Sequence, residues 1–278
     1  MVSVRPFRAP AFAVLTFVLA SPPLLAQGGP PLITDDPDTP GPRHWEINLS
    51  FFRERTRGHR LSERPRIDLN YGVGRRIQLK LEGPWLVQSA EGMEPMSGLG
   101  NAVAGVKWRF LGEEGRRISW SAYPQYEFNM DHASVSKGLV EDGHALFLPT
   151  EVTLDIDPIE LSVEIGRNLV SNGADTWIYG LAFEASVGRL DLVAEVHGEN
   201  AAGLATELIV NGGARGRITR QVALMMALGR AVHGRPEDKP SLLVYAGVQL
   251  TLPDAFDFAA PPAPRRYRRP APVMARRN

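Results

Sequence analysis

Three aspartates, Asp35, Asp36 and Asp38, open the list of side chains whose type and spacing suit chemistry. Carboxylates crowded this way can ligate calcium, a hard cation. The stretch lacks the full EF-hand spacing, however, and Asp-Pro steps such as Asp36–Pro37 are common turn formers. Ser171-Asn172-Gly173 offers a hydroxyl nucleophile. On a strand, the base that takes its proton must be a His two residues earlier, so that both side chains share a face. Position 169 is Leu, so no base is in place. Asp131 and His132 are adjacent in a loop, which does not make them converge. Glu160 and Glu164 share a strand face about 13 Å apart at the usual rise, too far for a glycosidase pair. The six His (44, 59, 132, 144, 197, 233) show no helical metal-ligand spacing, and Cys is absent, which removes disulfides, Cys-based zinc sites and a Cys nucleophile. These residues predict no enzyme, no metal and no cofactor.

The elements that carry these residues alternate apolar and polar positions with period two, about twelve times. Trp45, Ile47, Leu49 and Phe51 alternate with Glu46, Asn48 and Ser50; Ile67, Leu69 and Tyr71 with Arg66, Asp68 and Asn70; Ile77, Leu79 and Leu81 with Gln78, Lys80 and Glu82. Val106, Trp108 and Phe110 oppose Lys107 and Arg109. Later segments are cleaner: Ile159, Leu161, Val163 and Ile165 against Glu160, Ser162 and Glu164, and Leu190, Leu192, Ala194 and Val196 against Arg189, Asp191, Glu195 and His197. Two are weaker: Gly212 and Gly213 thin the tenth, and Met225 breaks the polar face of the eleventh. Period two puts each set on one face of a strand. Segments of about 9 to 12 residues match a tilted strand crossing a bilayer.

The connections sort as well. Those after the even-numbered segments are short. Those after the odd-numbered ones are longer, at about 56–63, 83–98, 129–144, 170–175, 198–204 and 231–240. Outer-membrane barrels have short periplasmic turns and long external loops. A lipocalin-type soluble barrel shows the same alternation with its apolar face inward. Against that stand the mixed charges of the polar face, which suit a narrow wet lumen, and the five tryptophans (Trp45, Trp85, Trp108, Trp120, Trp177) near strand ends, where an interfacial girdle lies. The fold expected is therefore all-β: a transmembrane antiparallel up-and-down β-barrel of about 12 strands over residues 44–252.

The ends differ in composition. Arg5 and Arg8 precede an apolar run to Leu25, and Ala26 supplies a small residue for cleavage, so residues 1–26 read as a signal peptide. Residues 27–43 are rich in Pro, Gly and Asp and build no regular element; they read as a flexible periplasmic lead-in or a plug. Residues 253–278 carry Arg among prolines and read as a disordered tail. The 31 basic and 31 acidic residues balance, which gives no electrostatic case for nucleic acid.

Three stretches resemble a known family: Thr34-Asp-Asp-Pro-Asp-Thr-Pro-Gly-Pro-Arg-His-Trp-Glu-Ile-Asn-Leu49, Tyr71-Gly-Val-Gly-Arg-Arg-Ile-Gln-Leu-Lys-Leu-Glu-Gly-Pro-Trp-Leu86 and Gly98-Leu-Gly-Asn-Ala-Val-Ala-Gly-Val-Lys-Trp-Arg-Phe110. They are similar to outer-membrane proteins grouped as the phenol meta-pathway degradation family. The resemblance is good over 34–110 and diffuse but consistent to 252. It implies a Gram-negative outer-membrane barrel admitting small, often aromatic or hydrophobic molecules, and it brings no catalytic residues. The tail departs from it, because such barrels usually end at their last strand on an aromatic residue.

The expected function is a passive channel for small molecules, in contact with outer-membrane lipid and lipopolysaccharide. Selection would come from pore width and a ring of mixed charge. The best lumen-lining candidates are Lys80, Lys107, Arg109, Glu151, Glu164 and Glu184. The alternatives are a non-conducting structural or surface-interaction barrel working through loops 83–98 and 129–144 and, third, an outer-membrane hydrolase.

Overall fold

Alternation of side chains across each strand, with one face apolar and the other charged, leaves only one closed arrangement without a buried polar edge: a barrel. The computed structural model describes residues 29–112, 117–236 and 239–253. The signal peptide expected at 1–26 and the tail expected beyond residue 253 lie outside the described residues.

Twelve strands follow one another around the wall. They are β1 (Trp45–Arg55), β2 (His59–Val73), β3 (Ile77–Ala90), β4 (Met96–Leu99 continued by Asn101–Leu111), β5 (Ile118–Ala122 continued by Gln125–Asn129), β6 (His144–Asp155), β7 (Ile159–Val170), β8 (Thr176–Val187), β9 (Leu190–Ala201), β10 (Glu207–Arg217), β11 (Val222–His233) and β12 (Leu242–Leu252). Each pairs antiparallel with its sequence neighbour. The barrel closes where β1 pairs with β12 from Trp45↔Leu252 to Arg55↔Leu242 with no shift of register. β4 is interrupted at Gly100 and β5 at Tyr123–Pro124, yet pairing carries on past the second break, because Tyr123 donates its N–H to the Pro149 carbonyl at 3.1 Å. One short helix, α1 (His132–Ser136), sits in the connection 130–143, and Asp131 caps it by accepting from the Ala133 N–H at 3.0 Å.

The apolar face points outward. Leu81 is 51% exposed and Leu224 50%, whereas Lys107 is 2% exposed and Glu151 0%. Strand β9 shows the rule residue by residue: Leu190, Leu192 and Val196 are exposed, and Asp191, Glu195 and His197 are buried. A soluble barrel would reverse this assignment.

Two connections expected to be loops are mostly strand. β2 begins at His59, so 56–63 shrinks to 56–58; β3 runs to Ala90 and β4 starts at Met96, so 83–98 shrinks to 91–95. Pro65 and Pro84 mask the pattern in the sequence. The ladder absorbs them as a bulge, with register shifting between Glu63 and Arg66. The sorting of connections persists at 130–143 and 234–241 and, less strongly, at 171–175 and 202–206.

An outward face that contacts lipid makes a depth-dependent prediction. Val163 lies in the middle of β7 and Leu190 at the end of β9, both exposed. Val163→Arg should destabilise the barrel in bilayers by about 2–4 kcal/mol, and Leu190→Arg by only about 0–1. Urea titration in vesicles reads both. Equal small effects at the two positions would count against a lipid-facing surface.

Candidate functional site

The lumen is built from wall side chains and from the segment that precedes β1. Residues 29–43 form no strand, consistent with their Pro, Gly and Asp content, but they are not loose: Thr34 and Asp36 are buried. They fill the barrel interior. Three consecutive backbone N–H groups are held by wall carboxylates: Ile33 donates to Glu195 Oε1 at 2.9 Å, Thr34 to Glu195 Oε2 at 2.8 Å and Asp35 to Glu164 Oε2 at 2.7 Å. A segment with no ladder partners thus has its donors satisfied by side chains. On the opposite wall Lys107 reaches Asp35 Oδ1 at 2.8 Å and the Asp36 carbonyl, and Arg109 Nη1 donates to Asp38 Oδ1 at 2.8 Å. Arg215 Nη2 donates to the Pro30 carbonyl at 2.9 Å. Gly180 lets the segment pass, since a Cβ there would collide with Thr34. The Asp-Pro turn is fixed by the Asp38 N–H donating to Asp36 Oδ1 at 2.8 Å. Burial, followed by the neighbouring Asp38 charge, pushes the Asp36 carboxyl well above the usual carboxylate range.

Five of the six candidate lumen residues, Lys107, Arg109, Glu151, Glu164 and Glu184, are buried on the inner wall. The Lys80 side chain is 11% exposed and lies 2.8 Å from Glu82 and 3.4 Å from Asp68. Lys107 is central: its ammonium sits over the Tyr123 ring at 4.6 Å and 3.9 Å from Glu151, which Ser121 hydrogen-bonds. Glu184 lies 3.8 Å from Arg215. Arg66 pairs with Glu82, and also with Glu63 at 3.4 Å. The charges are therefore paired into the wall and the inserted segment.

Of the tryptophans, Trp85, Trp108, Trp120 and Trp177 are exposed on the outer face, and Trp45 is half-buried beside Tyr71 at 4.9 Å between ring centroids. Trp108, Phe110 and Trp120 form a continuous aromatic run at the end of the wall where the short turns lie, with centroids 5.5 and 5.2 Å apart. Trp177 stacks under Arg167 toward the other end. Ser171 accepts from the His144 backbone N–H at 2.9 Å, and Asp131 is engaged as a helix cap. Among the contacts of the described residues, neither is brought to a base or an acid that would make it catalytic.

The sequence reading missed two features. Glu195, not among the candidates, makes two of the three backbone contacts. The second is an apolar sector of the inner wall. On β10 to β12, Ile209, Ala231 and Leu243 form one buried cluster, Met225, Ala227 and Tyr245 another, and Phe52 packs against both. Met225 breaks the polar alternation because it faces this sector; in the sequence that break was the visible signal. Above the inserted segment lies a cavity of about 350 Å³, lined by this sector, by Phe147 and Ile178, and by Leu32 and Ile33 of the segment itself. A second cavity, of about 150 Å³, lies at the short-turn end beside Asp38 and Pro40.

No protein-family model matches the chain, and no curated protein matches it in sequence. The family suggested by residues 34–110 therefore has no matching model behind it. Solved structures do match. An outer-membrane channel from Pseudomonas putida F1 superposes with a TM-score of 0.59 at 14% identity, covering 80% of this chain and 100% of that one. The NanC porin gives 0.52 at 7% identity over 74% of this chain and 100% of that one, and the KdgM porin 0.50 at 8% over 73% and 98%. The chain thus has the fold of outer-membrane channels and porins: a closed twelve-stranded antiparallel barrel with its apolar face outward.

Proposed function

We propose that this protein is an outer-membrane channel for passive passage of small molecules with an apolar, often aromatic, body, and that residues 29–43 are the plug of its lumen. The observation that carries the reading is the two-sided interior. Charged residues of β2 to β9 face an apolar sector of β10 to β12, and the cavity between them is floored by the inserted segment. A pocket with apolar walls and a few convergent polar groups is suited to small amphipathic ligands. In this reading the five tryptophans form the interfacial girdle, residues 1–26 direct export, and the outer face meets lipid and lipopolysaccharide.

The test is uptake into proteoliposomes over a panel of aromatic and aliphatic solutes matched in size. Aromatic and amphipathic solutes should enter faster than equally small polar ones. Absence of any flux, in the native chain and in a chain lacking the plug, would overturn the reading. The occupied lumen itself favours a second reading, a barrel that does not conduct and works through the 130–143 connection. Deleting that connection separates the two: solute flux should survive in the first case.

A further inference from the structure

The smaller cavity has a chemistry of its own. Four arginines line it, Arg109, Arg215, Arg217 and Arg220, against two aspartates, Asp38 and Asp191, with the Gln249 amide and the Thr219 and Thr251 hydroxyls between them. The larger cavity is opposite in balance, with Arg66 and Lys80 facing Asp35, Glu82, Glu164 and Glu199. The guanidinium groups of the smaller cavity are held from behind. Arg109 Nη2 donates to the Arg75 carbonyl at 2.8 Å, Arg217 Nη2 donates to the Gly188 carbonyl at 2.7 Å, and Arg215 is anchored on the Pro30 carbonyl. On the wall, Arg217 stands 3.4 Å from Asp191 and Arg215 3.8 Å from Glu184. Arg109 is buried, and its Nε has no hydrogen-bond partner among the described residues. Asp38, which belongs to the inserted segment and not to the wall, sits 2.8 Å from Arg109.

We infer that this cavity is a binding site for a small carboxylate, and that Asp38 occupies the place of the ligand's carboxylate while the segment is docked. Arginine is the side chain suited to such a site: its planar fork matches a carboxylate, and fixing it in advance lowers the cost of binding. The apolar edges that Pro40, Val222 and Ala223 contribute suit a ligand with a compact hydrocarbon body. Ligand and Asp38 compete for Arg109, so occupancy of the site loosens the lower anchor of the segment.

Benzoate and its uncharged isostere benzamide test this, with calorimetry on the purified full-length protein in detergent. Benzoate should bind at least about tenfold more tightly than benzamide, since only the anion makes charge-assisted bonds. Asp38→Asn should tighten benzoate binding several-fold, because it removes the competing charge without removing a wall residue. The double variant Arg217→Gln/Arg220→Gln, on the far side of the cavity, should weaken it by about tenfold. Equal binding of benzoate and benzamide, or unchanged benzoate affinity in Asp38→Asn, would overturn the inference. A fold-checked variant on either side decides the matter if the other does not assemble. Binding is read at equilibrium without any flux, so this result stands or falls separately from the channel function.

Discussion

Deleting residues 29–38 should open the barrel. As the proposed plug, those residues are held in the lumen by three backbone N–H contacts to Glu195 and Glu164 and two ion pairs, to Lys107 and Arg109. A twelve-stranded wall falls between eight-stranded barrels filled by side chains and sixteen-stranded ones with an aqueous channel, so single-channel conductance should rise when the segment is removed. Gly180→Leu should act in the same direction without shortening the chain, since its side chain would take the space of Thr34. The deletion also removes Asp35, Asp36 and Asp38 while leaving Lys107 and Arg109 on the wall. The reversal potential in a salt gradient should therefore shift toward anion preference. Conductance equal to that of the intact chain in both variants would show that the segment does not control the passage.

Lys107→Met should be the most destabilising single change inside the lumen. The ammonium is buried, pairs with Asp35 at 2.8 Å, faces Glu151 at 3.9 Å and holds the Asp36 carbonyl. Removing one partner of a buried ion pair leaves the other uncompensated and costs about 3–5 kcal/mol. Part of that cost can be relieved if the segment leaves, because Asp35 leaves with it. The cost should therefore fall when the same substitution is made in the chain lacking 29–38, with Glu151 remaining as the one stranded partner. Urea unfolding of all four chains in a double-mutant cycle measures the coupling. Purely additive effects would show that Lys107 supports the wall independently of the segment.

The wall was legible in the sequence because each strand carries its own evidence. A period of two with charge on one face and Leu, Ile or Val on the other needs no long-range information, and β7 and β9 follow it almost without exception. Strand ends were less legible. Pro65 and Pro84 hide continuity that a bulge restores, which is why β2 and β3 are longer than the pattern suggests. The docking of 29–38 was not legible at all as geometry. It has no period, and its partners lie far along the chain: Lys107 is 72 residues from Asp35, and Glu195 is 161 residues from Thr34. What the sequence did contain was complementarity, a run of aspartates at one end and inward cations at Lys107 and Arg109. The apolar sector was present only as an irregularity: Met225 of β11 looked like a flaw in a strand, when it belongs to the inner surface of a differently composed wall.

That wall has a consequence for how anything crosses. Around the larger cavity, an interior greasy along β10 to β12 and ionic on the facing strands is not a ring but a lane. A traveller with a hydrocarbon flank and a polar flank would keep one orientation against it over that stretch, so discrimination would depend on which side of the molecule bears its substituents as much as on its girth.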